Sequence, residues 1–195
     1  NVVVKVDFDP FLAWLAHCSG VEDASSLRPF LQSSLFIDFE FGRISREEFA
    51  HQLRLSYGAK FAMSELERAF CGIFPGAVDG MEELLCELAA DGPVYALSNT
   101  NELHLEWLER ECASLMKPFT KVFASHELGM RKPDSAIYRQ VADALRAPPQ
   151  QIVFFDDLPA NVAGAEKVGF SAHLFLESGQ VRTVLKRKAK RDDKA

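Results

Sequence analysis

From residue 93 onward, short apolar runs alternate with longer amphipathic ones, and this alternation constrains the fold more than any other feature of the chain. Strands are read at Pro93–Leu97, Lys121–Ala124, Ile152–Phe155 and Ala172–Phe175. Helices are read at 101–115, 134–146 and 161–168, with a last one from about residue 178 and an earlier one over 78–90, ended by Asp91-Gly92. Strand, helix, strand in strict succession implies right-handed βαβ crossovers and a parallel sheet covered by helices on both faces. The run Ile152-Val153-Phe154-Phe155 has no polar residue, as a strand buried on both faces requires. The expected fold class is α/β.

Residues before 76 follow a different pattern. Pro10–His17 is a compact apolar helix stopped by Ser19-Gly20, and Ser45…Glu48 and Ser64…Glu67 read as capping boxes opening two amphipathic helices. Ten of the sixteen phenylalanines lie before residue 75, and most are expected to pack between these helices. The expected division is an extended start over 1–9, a helical domain over 10–76, an α/β domain over 77–185 and a basic tail over 186–195.

A chain of 195 residues can hold one α/β domain with a small insert and bury a sizeable core. No apolar run approaches the ~20 residues of a membrane helix, and the start does not resemble a signal peptide. The cysteines, Cys18, Cys71, Cys86 and Cys112, form no CxxC pair. Reduced, mostly buried thiols in a cytoplasmic protein are expected, rather than a disulfide framework or a zinc site. Six basic and two acidic residues in 186–195 leave the rest of the chain at −10 against a total of −6. An acidic body argues against nucleic acid as a partner of the fold, and the tail reads as a solvated helix end.

In a parallel sheet the loops that follow the strands gather at the carboxyl edge, where ligands bind. Three such loops carry chemistry. Ser98-Asn99-Thr100-Asn101 offers a hydroxyl, amides and backbone N–H groups at a helix start, an anion cradle or a plain N-cap by Asn101 or Thr100. Lys132, between Arg131 and Pro133, is placed to neutralise a phosphate or a carboxylate nucleophile, or is a surface lysine. Asp156-Asp157 closes an apolar strand, and two adjacent carboxylates repel unless a hard cation such as Mg²⁺ holds them. The alternative there is an Asp-Pro turn with Asp157 or Asn161 capping the next helix.

Taken together, these loops resemble the haloacid dehalogenase superfamily. Ser98 in Leu-Ser-Asn-Thr-Asn is similar to its second motif, and Lys132 in Gly-Met-Arg-Lys-Pro-Asp to its third. Phe-Phe-Asp-Asp with Asn161 and Gly164-Ala165 is similar to its fourth. The likeness covers essentially the whole chain and is to the phosphatase branch that includes sugar-phosphate phosphatases and the N-terminal domain of soluble epoxide hydrolases. It implies a Rossmann-like core with the helical first 75 residues as a small cap inserted after the first strand. It also implies a phosphatase acting through an aspartyl-phosphate on a small phosphorylated metabolite, a sugar phosphate being plausible. On this resemblance Asp157 is the direct Mg²⁺ ligand, with Asp156 in direct or water-mediated support and Asn161 behind them. Ser98 and Asn99 hold phosphate oxygens, and Lys132 bridges phosphate and nucleophile.

The family's first motif supplies the nucleophilic aspartate at the end of a strand. Val6-Asp7-Phe8-Asp9-Pro10 matches the flap that follows this motif, rather than the motif itself. The expectation is therefore that residues 1–9 are a remnant of the first motif and flap, that the central first strand is truncated, and that the nucleophile lies upstream of Asn1. The chain as it stands would then be inactive, and its general acid would be unidentified. The competing readings are a metal-independent 2-haloacid dehalogenase, a catalytically inactive phosphate-binding homologue and a receiver-type phosphoacceptor. The receiver is disfavoured because its acid pair follows its first strand and it has no helical insert.

Overall fold

The computed structural model describes residues 1–192, with side chains to 188, so residues 193–195 of the basic tail lie outside the description. The chain divides into two compact units, one of residues 6–76 and 95–131, the other of residues 1–5, 77–94 and 132–195.

The elements begin with a short strand β1 (Val4–Lys5) and helices α1 (Asp9–Ser19), α2 (Ser34–Glu40), α3 (Arg46–Tyr57) and α4 (Met63–Cys71), with a 3-10 helix Ala24–Gln32 between α1 and α2. Gly20 ends α1 in the left-handed region at φ 68°, as the sequence expects of Ser19-Gly20. Ser45 caps α3 through its hydroxyl, which accepts from Glu48 N. The second capping box is displaced. Helix α4 starts two residues earlier than Ser64 requires, with Ala62 extended at the cap, and the Glu65 carboxylate accepts from Ala62 N at 2.6 Å. Half of a capping box suffices there, because a carboxylate in the first turn also meets the positive end of the helix dipole.

What holds these helices together is aromatic. Phe11, Phe30, Phe39, Phe49 and Phe70 are almost fully buried, and Phe39 stacks on Phe49 at 4.3 Å. Phe70 contacts the rings of Phe11, Phe36, Phe39 and Phe49 and lies flat on His104 at 4.2 Å. Each such ring contributes about 1.5–3 kcal/mol by leaving water.

The chain continues through β2 (Gly76–Ala77), α5 (Met81–Asp91), β3 (Val94–Ser98), α6 (Glu102–Glu111), α7 (Ala113–Met116) and β4 (Phe119–Ala124). It ends with α8 (Ser125–Leu128), α9 (Ser135–Leu145), β5 (Val153–Asp156), α10 (Pro159–Glu166), β6 (Ser171–Leu174) and α11 (Ser178–Asp192). The alternation read from the sequence is present, with boundaries moved by one to three residues. The helix expected over 101–115 is two helices, because Cys112 leaves helical geometry at φ −117°, ψ 34°. Strands pair as β1 with β2, β3 with β4, and β5 with β6. β5 and β6 run parallel, with Val153 opposite Ser171 and Asp156 opposite Leu174.

All four cysteines are free thiols; Cys71 is buried, but Cys86 is exposed on the outer face of α5, so the expectation of mostly buried thiols holds only in part. No helix among the described residues is long and apolar enough to cross a membrane.

Candidate active site

β5 delivers Asp156 as its last residue, and the next helix begins with Pro159 and no side-chain cap. Neither Asp157 nor Asn161 caps it. Asp156 does the local work instead. Its Oδ1 accepts from Leu158 N at 2.9 Å and from the Asn161 amide at 2.8 Å, and its Oδ2 accepts from Lys132 Nζ at 2.6 Å. Only 3% of Asp156 is exposed, and a carboxylate is held that deep only with its oxygens met by donors. The Lys132 side chain is 10% exposed, so it is not a surface lysine. Its ammonium also sits 5.6 Å from the centre of the Phe154 ring.

Asp157, one residue on, faces differently. Its side chain is 29% exposed, and the amino group of Asn1 stands 3.1 Å from its Oδ1. Burial pushes its carboxyl upward, but the amino group and side-chain amide of Asn1 outweigh that and hold it below the usual carboxylate range. Among the described residues no group of three or more His, Cys, Asp or Glu side chains gathers. A single accessible carboxylate fits Mg²⁺, which keeps waters and takes one or two carboxylates plus substrate phosphate, and does not fit zinc.

The Ser98–Asn101 loop belongs to the other unit. The Ser98 hydroxyl makes only a marginal contact, 3.5 Å from Asn99 O, and remains able to donate. Thr100 N donates to the Ser125 hydroxyl at 2.9 Å, and that hydroxyl lies 2.6 Å from Glu40 O on α2. Asn101, fully buried, caps α6 by accepting from His104 N. The N-cap reading of Asn101 therefore holds, and it leaves Ser98 and Asn99 as the half-buried members of the loop.

His104 completes this anchoring. A carbonyl can only accept, so the ring Nε2 donates to Phe70 O, and Nδ1 accepts from the Asn101 amide. Burial drives its pKa down to about 3, against the upward pull of the Phe70 carbonyl. Arg131, the residue before Lys132, pairs with the buried Glu40 at 2.5 Å. Sequence reading singled out none of His104, Ser125 or Glu40. The one signal available was a carboxylate at Glu40 between Phe39 and Phe41 in an apolar run.

The structure thus brings Lys132, Asp156 and Asn161 into one hydrogen-bonded cluster and turns Asp157 away from it. It fixes Ser98 and Asn99 on a loop tied down by Thr100 and Asn101. Each group by itself has chemistry to offer: a lysine and an accessible carboxylate in the one unit, a half-buried hydroxyl and amide in the other.

Comparison with known proteins bears on the family of the chain. A family model, haloacid dehalogenase-like hydrolase, matches residues 37–169. The chain is 27% identical to the D-ribitol-5-phosphate phosphatase of Bacteroides thetaiotaomicron over 87% of this chain and 85% of that one. A HAD-like hydrolase structure from Porphyromonas gingivalis superposes with TM-score 0.79 at 28% identity, covering 94% and 92% of the two chains. A HAD family enzyme from Bacteroides thetaiotaomicron, solved with magnesium and inorganic phosphate, superposes with TM-score 0.78 at 21% identity, covering 90% and 89%.

Proposed function

Because this chain belongs to the haloacid dehalogenase-like hydrolases, with a sugar-phosphate phosphatase among its homologues, we propose that it is a Mg²⁺-dependent phosphatase of small phosphorylated metabolites. A sugar or polyol phosphate is the substrate class that the ribitol-5-phosphate relative supports. In this reading Ser98 and Asn99 hold phosphate oxygens. Lys132 stabilises charge on the phosphoryl group as a carboxylate attacks it and an aspartyl-phosphate forms. Asp157 is the metal ligand, Asp156 and Asn161 position Lys132, and residues 10–76 are the cap that chooses the substrate. When bound, Mg²⁺ would offset repulsion between the attacking carboxylate and the phosphate.

The nucleophile is a separate matter. Asp7 is exposed and accepts from Asp9 N, while Asp9 opens α1 and pairs with Arg28. Both contacts support a flap role, and this reading keeps the nucleophile upstream of Asn1. Free thiols support a cytoplasmic setting.

The observation that carries the reading is the division of labour in the acid pair: Asp156 is buried and paired with Lys132, whereas the Asp157 side chain, one residue on, is 29% exposed and reaches solvent. A metal-free dehalogenase would leave that second charge facing its own nucleophile. The test is an assay of the full-length protein for phosphate release from aryl phosphates and ribitol 5-phosphate, with Mg²⁺ and then with a chelator, beside halide release from 2-chloropropionate. Phosphate release abolished by the chelator supports the proposal. Halide release indifferent to the chelator overturns it, and binding of phosphate without turnover points to an inactive homologue.

A further inference from the structure

We propose that Tyr138 is a positioning residue of the reaction, holding Lys132 in its working place through Asn161 and Asp156. The inference rests on the phosphatase reading for the role of Lys132 and on geometry for everything else. Tyr138 lies on α9, fully buried, with its ring edge-on to Phe154 at 5.7 Å and to Phe170 at 5.8 Å. A phenylalanine would satisfy those contacts equally well, and a phenol hydroxyl is costly to bury without a partner. The hydroxyl therefore needs its own explanation.

Its partner supplies one. Tyr138 Oη donates to Asn161 O at 2.8 Å, fixing the turn of α10 whose side-chain amide donates to Asp156 Oδ1 at 2.8 Å. The other oxygen of Asp156 receives Lys132 Nζ at 2.6 Å. Three hydrogen bonds in series thus run from a buried phenol to the reactive ammonium. A second feature braces the same joint. Helix α10 comes so close to the Lys132-Pro133 turn that a Cβ on Gly164 would lie 2.5 Å from Pro133 O and 3.0 Å from the Tyr138 ring. Gly164 lets α10 seat against the residue that follows Lys132, and Tyr138 pins it there. Lys132 is consequently aimed by two helices as well as by its own loop. Catalysis is sensitive to that aim, because a displacement on the order of 1 Å costs about a hundredfold.

The test is Tyr138→Phe in the full-length protein, which removes one oxygen and keeps the ring. Competitive acylation with a trace of acetic anhydride at a single pH, read by mass spectrometry, reports the reactivity of each lysine without requiring turnover. Lys132 should label roughly threefold faster in Tyr138→Phe, with exposed Lys60 and Lys121 unchanged, and kcat on an aryl phosphate should fall about tenfold with KM within about twofold. Gly164→Ala should move both readouts in the same direction. Unchanged labelling of Lys132, or a rise shared by all three lysines, overturns the proposal. Faster labelling with kcat at the wild-type level also overturns it, since the bond would then serve packing alone. A wild-type protein without phosphatase activity would defeat the phosphatase reading, while the labelling still decides whether Tyr138 governs Lys132.

Discussion

His104 in one unit and Asp156 in the other are both buried polar side chains, and the two are kept under cover by opposite means. His104 lies flat on Phe70 in a surround of aromatic rings and gives up its charge, its pKa driven to about 3 by burial. Asp156 is as deeply buried but collects three donors, one of them the ammonium of Lys132. A neutral hub can only hold its neighbours together. An ionic hub keeps a charge under cover at the end of a strand, between the loop that carries Lys132 and the start of α10. On the phosphatase reading, cohesion and chemistry are separated in this chain, and substitutions in the two hubs should separate them too.

The largest effects should fall on opposite readouts. Lys132→Ala combined with Asp156→Asn, which leaves no buried charge unpaired, should lower kcat on an aryl phosphate about a thousandfold or more, because the contribution of Lys132 is electrostatic, while thermal unfolding changes little. Phe70→Ala should cost about 3–5 kcal/mol in chemical denaturation, because it empties the ring cluster. If that double variant unfolds the protein, or Phe70→Ala is neutral, the separation is wrong.

Within the acid pair a smaller contrast is expected. Asp157→Asn should weaken Mg²⁺ binding, followed by calorimetry, by about tenfold or more, and more than Asp156→Asn does. Asp156→Asn should act mainly on Lys132, which loses its anionic partner. Equal losses of metal affinity would mean that both carboxylates ligate.

The His104 hub makes a prediction about pH. In the unfolded chain a histidine takes up a proton near 6.5, whereas in the fold it does so only near 3. Between these values the unfolded state binds the extra proton, so stability is unaffected above about pH 6.5 and falls as the pH drops below it. The slope is at most about 1.4 kcal/mol per pH unit, so near pH 5 about 2 kcal/mol is lost to this group. His104→Gln has no such proton to refuse. Urea unfolding at pH 7 and pH 5 should therefore show a drop about 2 kcal/mol smaller in the variant, and an equal drop in both proteins would exonerate His104.

The two hubs were not equally legible in the sequence. Asp156, Lys132 and Asn161 stand at the ends of apolar runs, where periodicity places loops at one sheet edge, so the ionic hub could be assembled from spacing and a family resemblance. Its wiring could not. That Asp156 turns inward to Lys132 while Asp157 faces out depends on the strand's last pleat and on Pro159 forcing the turn. The buried hydroxyl of Tyr138 looks in sequence like one more aromatic on the apolar face of α9, beside Ile137 and Val141. His104 was equally hidden, because a histidine three residues after an N-cap reads as an ordinary surface position. Only the folding of Phe70 against α6 makes it core. The displaced start of α4 has the same origin, since Glu65 and Glu67 are both reachable partners on paper and tertiary packing of Leu66 and Phe70 selects the register.

The smallest expected effect bears on the nucleophile. Asp7 and Asp9 are the acids nearest the start of the chain and resemble, at first glance, a nucleophile with its acid two residues on. Yet Asp7 is exposed, with one oxygen accepting from Asp9 N, and Asp9 starts α1 with Arg28 as its partner. A carboxylate that attacks phosphorus has to be held in place by donors in a covered site, whereas Asp7 and Asp9 spend their contacts on the start of α1. Asp7→Asn and Asp9→Asn in the full-length protein should therefore leave kcat on an aryl phosphate within about twofold of wild type, with at most about 1 kcal/mol lost from the helix start where Asp9 meets the dipole. Turnover abolished by Asp7→Asn, with an aspartyl-phosphate trapped at residue 7 by mass spectrometry, would make Asp7 the nucleophile. Wild-type turnover in both variants would place the attacking group outside the flap, and the chemistry of the ionic hub would then await a carboxylate delivered by another part of the protein.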